Sequence, residues 1–137
     1  MRYLPVRLKP RQDLRLALEA ALADSGVGAG FVVLGIGSLD GACIRYAGVS
    51  EATRLEGDLE ILTLAGSLSP DGVPLHISVS DAQGRVVGGH VAPGCIVRTT
   101  AEILLALLPE VRFSRELDPA SGWDELVVRS SPGSGAG

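Results

Sequence analysis

Residues 74 to 90 read PLHISVSDAQGRVVGGH and carry both histidines of the chain. Apolar and polar residues alternate on either side of Asp81-Ala82-Gln83-Gly84, which is a turn signal. A three-residue loop, Ala82 to Gly84, gives Gly84 the positive φ that such loops require. It sets Asp81 against Arg85, Val79 against Val87, Ile77 against Gly89 and His76 against His90. Strand alternation then places Leu75, Ile77, Val79, Val87 and Val91 on one apolar side, with His76, Ser78, Ser80, Gly88 and His90 on the other. Slipping the pairing by one residue throws His90 onto the apolar side, so the apolar pattern selects the first register. Opposed side chains have Cβ atoms about 4.5–5.5 Å apart, close enough for two imidazoles to share one divalent, zinc-like ion. Zinc takes four ligands, and two histidines are only half of that set. Ser78 is a poor ligand, and Asp81 lies at the turn. A third donor from a neighbouring subunit, or weak binding by neutral imidazoles alone, are the two remaining routes.

The rest of the chain extends this strand pattern. Residues 2 to 9 alternate loosely and stop at Pro10, which suggests a first strand. In DLRLALEAALADSG the period changes: Leu14, Ala17, Leu18, Ala21 and Leu22 make one helical face. Asp13 is placed to cap that helix and Gly26 to end it. GFVVLGIGSL, Asp40-Gly41 and ACIRYAGV read as two strands joined by a hairpin turn. LEILTLAGSLS ends at Pro70-Asp71-Gly72. In CIVRTTAEILLALL the pattern over Ala101 to Leu108 also admits a helix, but the Thr-Thr start and its place in a strand series favour one long strand. EVRFSREL is the last strand candidate, and the Gly/Ser-rich residues 130–137 are expected to be a flexible tail after a single domain, 1–129.

Composition narrows the function. Hydrophobic residues are 46% of 137, charged residues 20% and aromatics 4%. A domain this small has too little interior for that many aliphatic side chains, which favours an obligate oligomer. Net charge is −4 with a single lysine, Lys9, so no basic patch of the kind that grips phosphate backbones is present. No run reaches about eighteen apolar residues and the start lacks a signal-type apolar core, so a cytoplasmic protein without a membrane partner is expected. Cys43 and Cys95 sit among aliphatic residues and read as buried thiols. Gly35-Ile36-Gly37 starts a dinucleotide-loop pattern, but position 40 is aspartate and no helix follows. These glycines read instead as places where strand backbones crowd.

GDLEILTLAGSLS, residues 57 to 69, resembles the Gly-x-Phe-Glu-Ile-Leu-Ser-Leu-x-Gly motif of the plants-and-prokaryotes conserved (PPC, DUF296) domain. Gly57, Glu60, Ile61, Leu62, Leu64 and Gly66 match, while Leu59 replaces the aromatic residue and Thr63 the serine. GFVVLGIGSLDGACIRYAG before it and LHISVSDAQGRVVGGHVAPGCIVRTTAEILL after it fit the neighbouring segments. The resemblance implies an α/β (α+β) fold, a mainly antiparallel sheet backed by one long N-terminal helix, assembled as a homotrimer. Many prokaryotic members carry His-x-His in one hairpin strand and a third histidine in the next. Here those positions hold His76, Ser78 and His90. In plants the domain usually follows an AT-hook, and it serves mainly for assembly and partner docking. This chain has no Arg-Gly-Arg-Pro core.

Two functions follow. One is a non-enzymatic trimeric domain that docks a protein partner, with links to nucleic-acid regulation. In that case Gly57, Glu60 and Gly66 form a partner-docking or structural motif. The other is a metal-dependent or small-molecule enzyme at a subunit boundary near His76 and His90. Arg45, Arg98, Glu102 and Glu60 would then supply acid, base and anion-holding groups. Glu60 and Glu102 also have a structural role open to them, such as an arginine partner across the sheet.

Overall fold

Asp13 is where the helix begins, as its side chain dictates. The computed structural model describes residues 1–132 of the chain; residues 133–137, most of the expected tail, lie outside the described residues. The elements are β1 (Arg2–Leu8), α1 (Leu14–Ser25), β2 (Gly30–Arg45), β3 (Thr53–Leu68), β4 (Leu75–Ser80), β5 (Val86–Val91), β6 (Val97–Leu107), β7 (Val111–Asp118) and β8 (Trp123–Ser130). Asp13 Oδ1 accepts the amides of Arg15 and Leu16, and its Oδ2 accepts the Gly94 amide at 2.7 Å. One carboxylate therefore both caps α1 and ties it to the loop before β6. Gly26 closes the helix at φ 69°. With 12 residues α1 is about 18 Å long, so the helix behind the sheet is short, not long. Its stripe of Leu14, Leu18 and Leu22 is buried.

Six strands form one antiparallel sheet in the order β1-β6-β2-β3-β4-β5. The sheet curls until β5 returns to the end of β2, pairing Ile44 with Val91 and Arg45 with His90. Bulges in β2 supply the bend, since each extra residue increases local twist. One of them is Asp40-Gly41. The structure makes no hairpin there: Gly41 takes φ 78° inside a continuous strand, and the chain reverses only between Arg45 and Thr53. A left-handed glycine serves a bulge as well as a turn, and buried Ala42 and Ile44 beyond it keep the strand on the core. β6 is a strand throughout, because Ala101, Ile103, Leu105 and Leu107 all point into the core between β1 and β2. At Gly37 an added Cβ would lie 2.5 Å from the Thr100 carbonyl oxygen, so this glycine marks crowding and no nucleotide loop.

β7 and β8 form a separate two-stranded hairpin. The sequence pattern missed β8, whose side chains are exposed or half-buried throughout and show no buried face. Ser130, the first residue of the expected tail, ends β8 and pairs with Val111. The hairpin docks through Phe113, which meets Phe31 edge-to-face at 5.5 Å, and through Arg115.

A single apolar core joins α1 to the inner face of the sheet. The outer face is not polar in its β1-β6-β2-β3 half. Tyr3, Phe31, Val33, Leu34, Ile36 and Leu62 stand there between 42% and 58% exposed. A bulge between Val32 and Leu34 turns both Val33 and Leu34 outward.

Candidate functional site

β4 and β5 pair in the register that the alternating pattern requires: His76 opposite His90, Ile77 opposite Gly89, Val79 opposite Val87. The loop holds it. Gly84 has φ 76°, the Asp81 amide donates to the Arg85 carbonyl at 3.0 Å, and Asp81 Oδ1 accepts the amides of Gln83 and Arg85. Leu75, Ile77, Val79 and Val91 are buried, and Val87 near the loop is exposed. On the opposite side the two imidazoles meet at 3.0 Å between His76 Nε2 and His90 Nδ1, with centroids 4.5 Å apart and planes at 81°. One ring N–H donates to the lone pair of the other. Beside them Ser78 Oγ and Thr63 Oγ1 share a hydrogen bond at 2.6 Å.

His90 is the less exposed of the two histidines. Burial lowers its pKa below the ordinary imidazole value, and the positive Arg45 and the neighbouring His76 lower it further. The folded chain therefore binds this proton less readily than the unfolded chain. Its contribution leaves stability complete above about pH 6.5 and makes it fall as pH drops below that value. His90→Asn is expected to flatten the slope of urea midpoint against pH between about pH 7.5 and 5, with little change at the upper end. An unchanged slope would place the pH dependence elsewhere.

Of the remaining candidates, Arg45 joins this pair as the β2 partner of His90, and the others lie elsewhere. Arg98 instead binds Asp58 at 3.0 Å, and Glu102 stands on β6 between Arg7 of β1 and Ile36 of β2. Glu60 lies between Ser38 and Ser80 and, among the described residues, has no arginine partner. Gly57 takes φ 87° in open space, whereas Gly66 packs directly against Pro74 and Leu75. The Cys95 thiol is fully buried, its pKa pushed up to about 11 mainly by burial; Cys43 is half-buried. Two residues the sequence did not point to, Arg15 and Arg115, line a cleft of about 470 Å³ together with Arg45, His90, Asp71 and Asp124.

As a zinc site the pair is incomplete within one chain. It offers two nitrogen donors, and the third position is a hydroxyl already engaged by Thr63. Among the described residues no three His, Cys, Asp or Glu side chains come together to hold an ion.

The family model of the Plants and Prokaryotes Conserved (PCC) domain matches residues 1–109. The chain belongs to this family. It is similar to the bifunctional protein GlmU of Synechococcus sp. (strain JA-3-3Ab), at 52% identity over 128 residues, 93% of this chain and 21% of that protein. The chain thus spans about a fifth of the length of the curated relatives it matches. Among solved structures, a hypothetical protein from Salmonella cholerae-suis shares 40% identity at a TM-score of 0.92, with 94% of each chain covered. A metal-containing protein from Archaeoglobus fulgidus shares 26% identity at a TM-score of 0.75, covering 93% of this chain and 94% of that one. The PCC match ends before β7, so the β7–β8 hairpin lies beyond the matched segment.

The incomplete donor set gives a direct test within this PCC domain. Ser78→His adds a third imidazole on the same face of β4, two residues from His76. We expect zinc or cobalt affinity to rise by roughly 100-fold, read by competition with a chelating dye. Equal affinity in both proteins would mean that the face does not present three convergent nitrogens.

Proposed function

We propose that this PCC domain is a non-enzymatic assembly and docking module that works as a homotrimer. The observation that carries the reading is the outward apolar face formed by Phe31, Val33, Leu34, Ile36 and Leu62 on adjacent strands, with Tyr3 beyond them on β1. Monomers rarely leave so much contiguous aliphatic surface in water, and covering it is worth about 25 cal/mol per Å². Closure with three copies accords with the family resemblance and with the aliphatic excess of the composition. The occurrence of a similar segment within a protein several times longer, GlmU of Synechococcus, supports a portable module that serves whatever it is joined to. Three copies would present three docking surfaces and raise weak contacts to useful avidity.

Direct DNA binding is the weaker part of this reading. The chain has 12 basic against 16 acidic residues, and Arg54, Arg85, Arg98 and Arg129 are each neutralised by a carboxylate. Any regulatory role then runs through a protein partner. A second reading, a metal-assisted site at a subunit boundary, is favoured by one observation, the 3.0 Å approach of His76 and His90; it requires a third donor from a neighbouring copy. Among the described residues no helix is long and apolar enough to cross a membrane. Sedimentation of the whole chain and of a variant with lysines on the apolar face tests the assembly reading.

A further inference from the structure

The cleft beside His90 is built from four distant parts of the chain. Arg15 comes from the first turn of α1, Arg45 from the end of β2, Asp71 from the turn before β4 and Arg115 from β7. Three guanidinium groups in one cleft repel each other unless each is matched. Arg15 is matched: its Nε binds Glu19 at 3.1 Å and its Nη1 reaches the Val91 carbonyl at 3.4 Å. Arg45 and Arg115 are not. Among the described residues neither side chain lies within ion-pair distance of a carboxylate, although both are half-buried.

Their hydrogen bonds are also few. Arg45 Nη1 donates to the Val49 carbonyl at 3.1 Å, and Arg115 Nη2 donates to Ser67 Oγ at 2.6 Å. Arg115 Nε is buried and has no acceptor. A guanidinium offers five donors in a planar fork, so each of these side chains retains unused donors. His90 spends Nδ1 on His76 and keeps Nε2 for another partner. Two carboxylates also line the cleft. Asp71 Oδ2 already accepts the Arg115 amide at 3.0 Å, while Asp124 is exposed on the hairpin.

We propose that this cleft binds a small anionic molecule, a carboxylate or a phosphate monoester, whose charged head is held by Arg45 and Arg115 with Arg15 at the rim. A planar fork suits either head group, because both accept paired N–H bonds. Asp124, which also lines the cleft, is available to accept from a hydroxyl or amine elsewhere on the ligand. The cleft volume of about 470 Å³ fits a metabolite-sized molecule. None of the residues that line the cleft belongs to the proposed apolar assembly face, so each idea can fail without the other.

The test is isothermal titration of the whole chain with inorganic phosphate and, separately, with succinate. Saturable binding of at least one anion, one per chain, is expected. Arg45→Gln should weaken it by roughly tenfold or more, while Arg98→Gln, outside the cleft, leaves it unchanged. Arg115→Lys, which keeps the charge but loses the fork, should weaken it as well and guards against a folding failure in one variant. Tighter phosphate than succinate assigns a phosphate monoester, and the reverse assigns a carboxylate. No saturable heat with either anion, or equal loss in the Arg98→Gln control, would overturn the proposal.

Discussion

The Gly66→Val variant is expected to yield no folded protein. Gly66 lies where β3 is paired on both sides, with Val32 of β2 and Leu75 of β4. A Cβ added there would stand 2.4 Å from the Pro74 carbonyl oxygen, 2.8 Å from Leu75 Cδ2 and 3.1 Å from Leu75 Cα. Two of these three atoms are backbone, which cannot swing aside as a lysine tip could. Leu75 is itself fully buried, so β4 has no room to retreat. Relief requires breaking the β3–β4 ladder, which also carries the histidine hairpin. The penalty should exceed about 4 kcal/mol, a large part of the roughly 5–15 kcal/mol that holds a domain of this size. Gly57 in the same motif makes the contrast. It has φ 87° with nothing within 4 Å of an added Cβ, so Gly57→Ala pays only the left-handed strain of about 1–2 kcal/mol and stays folded. Circular dichroism and urea titration of both variants check the pair. A cooperative, native-like Gly66→Val transition would show that β3 and β4 are not packed as described.

The second large effect concerns assembly. Leu34→Lys/Ile36→Lys places two charges in the middle of the outward apolar face. On a monomer such exposed changes cost within about 0.5 kcal/mol each. The lysine at position 36 even faces Glu102 across the β2–β6 ladder, so the isolated subunit should keep its fold. Across an interface the same charges would be buried against aliphatic side chains of another copy, where an unpaired ammonium is prohibitive. The variant should therefore be folded, monomeric and unchanged in anion binding.

Much of the architecture could be read from residue patterns, and the places where it could not share a cause. The His76–His90 register followed from alternating burial plus one glycine, Gly84, that the loop needs at positive φ. The limits of α1 followed from Asp13 and Gly26 because caps are local chemistry. Asp40-Gly41 misled because the same backbone conformation serves a turn and a bulge, and only the partner strand decides between them. β8 was invisible because WDELVVRS buries no face and so leaves no periodic signal. The candidate Arg45–Arg98–Glu102 group dissolved for a similar reason. Chain order says nothing of distance, and Arg98 found Asp58 while Glu102 stands on β6 between Arg7 and Ile36. The cleft that does gather Arg15, Arg45 and Arg115 exists only because β5 closes onto β2 and the β7–β8 hairpin folds back, neither of which any motif announces.

Sedimentation equilibrium on the whole chain bears most directly on the claim that the apolar sheet face is an assembly surface. The chain mass is 14.1 kDa, and a particle of three times that mass is expected, falling to a single chain in Leu34→Lys/Ile36→Lys. A wild-type particle of one chain at micromolar concentration, with that face left in water, would contradict the account.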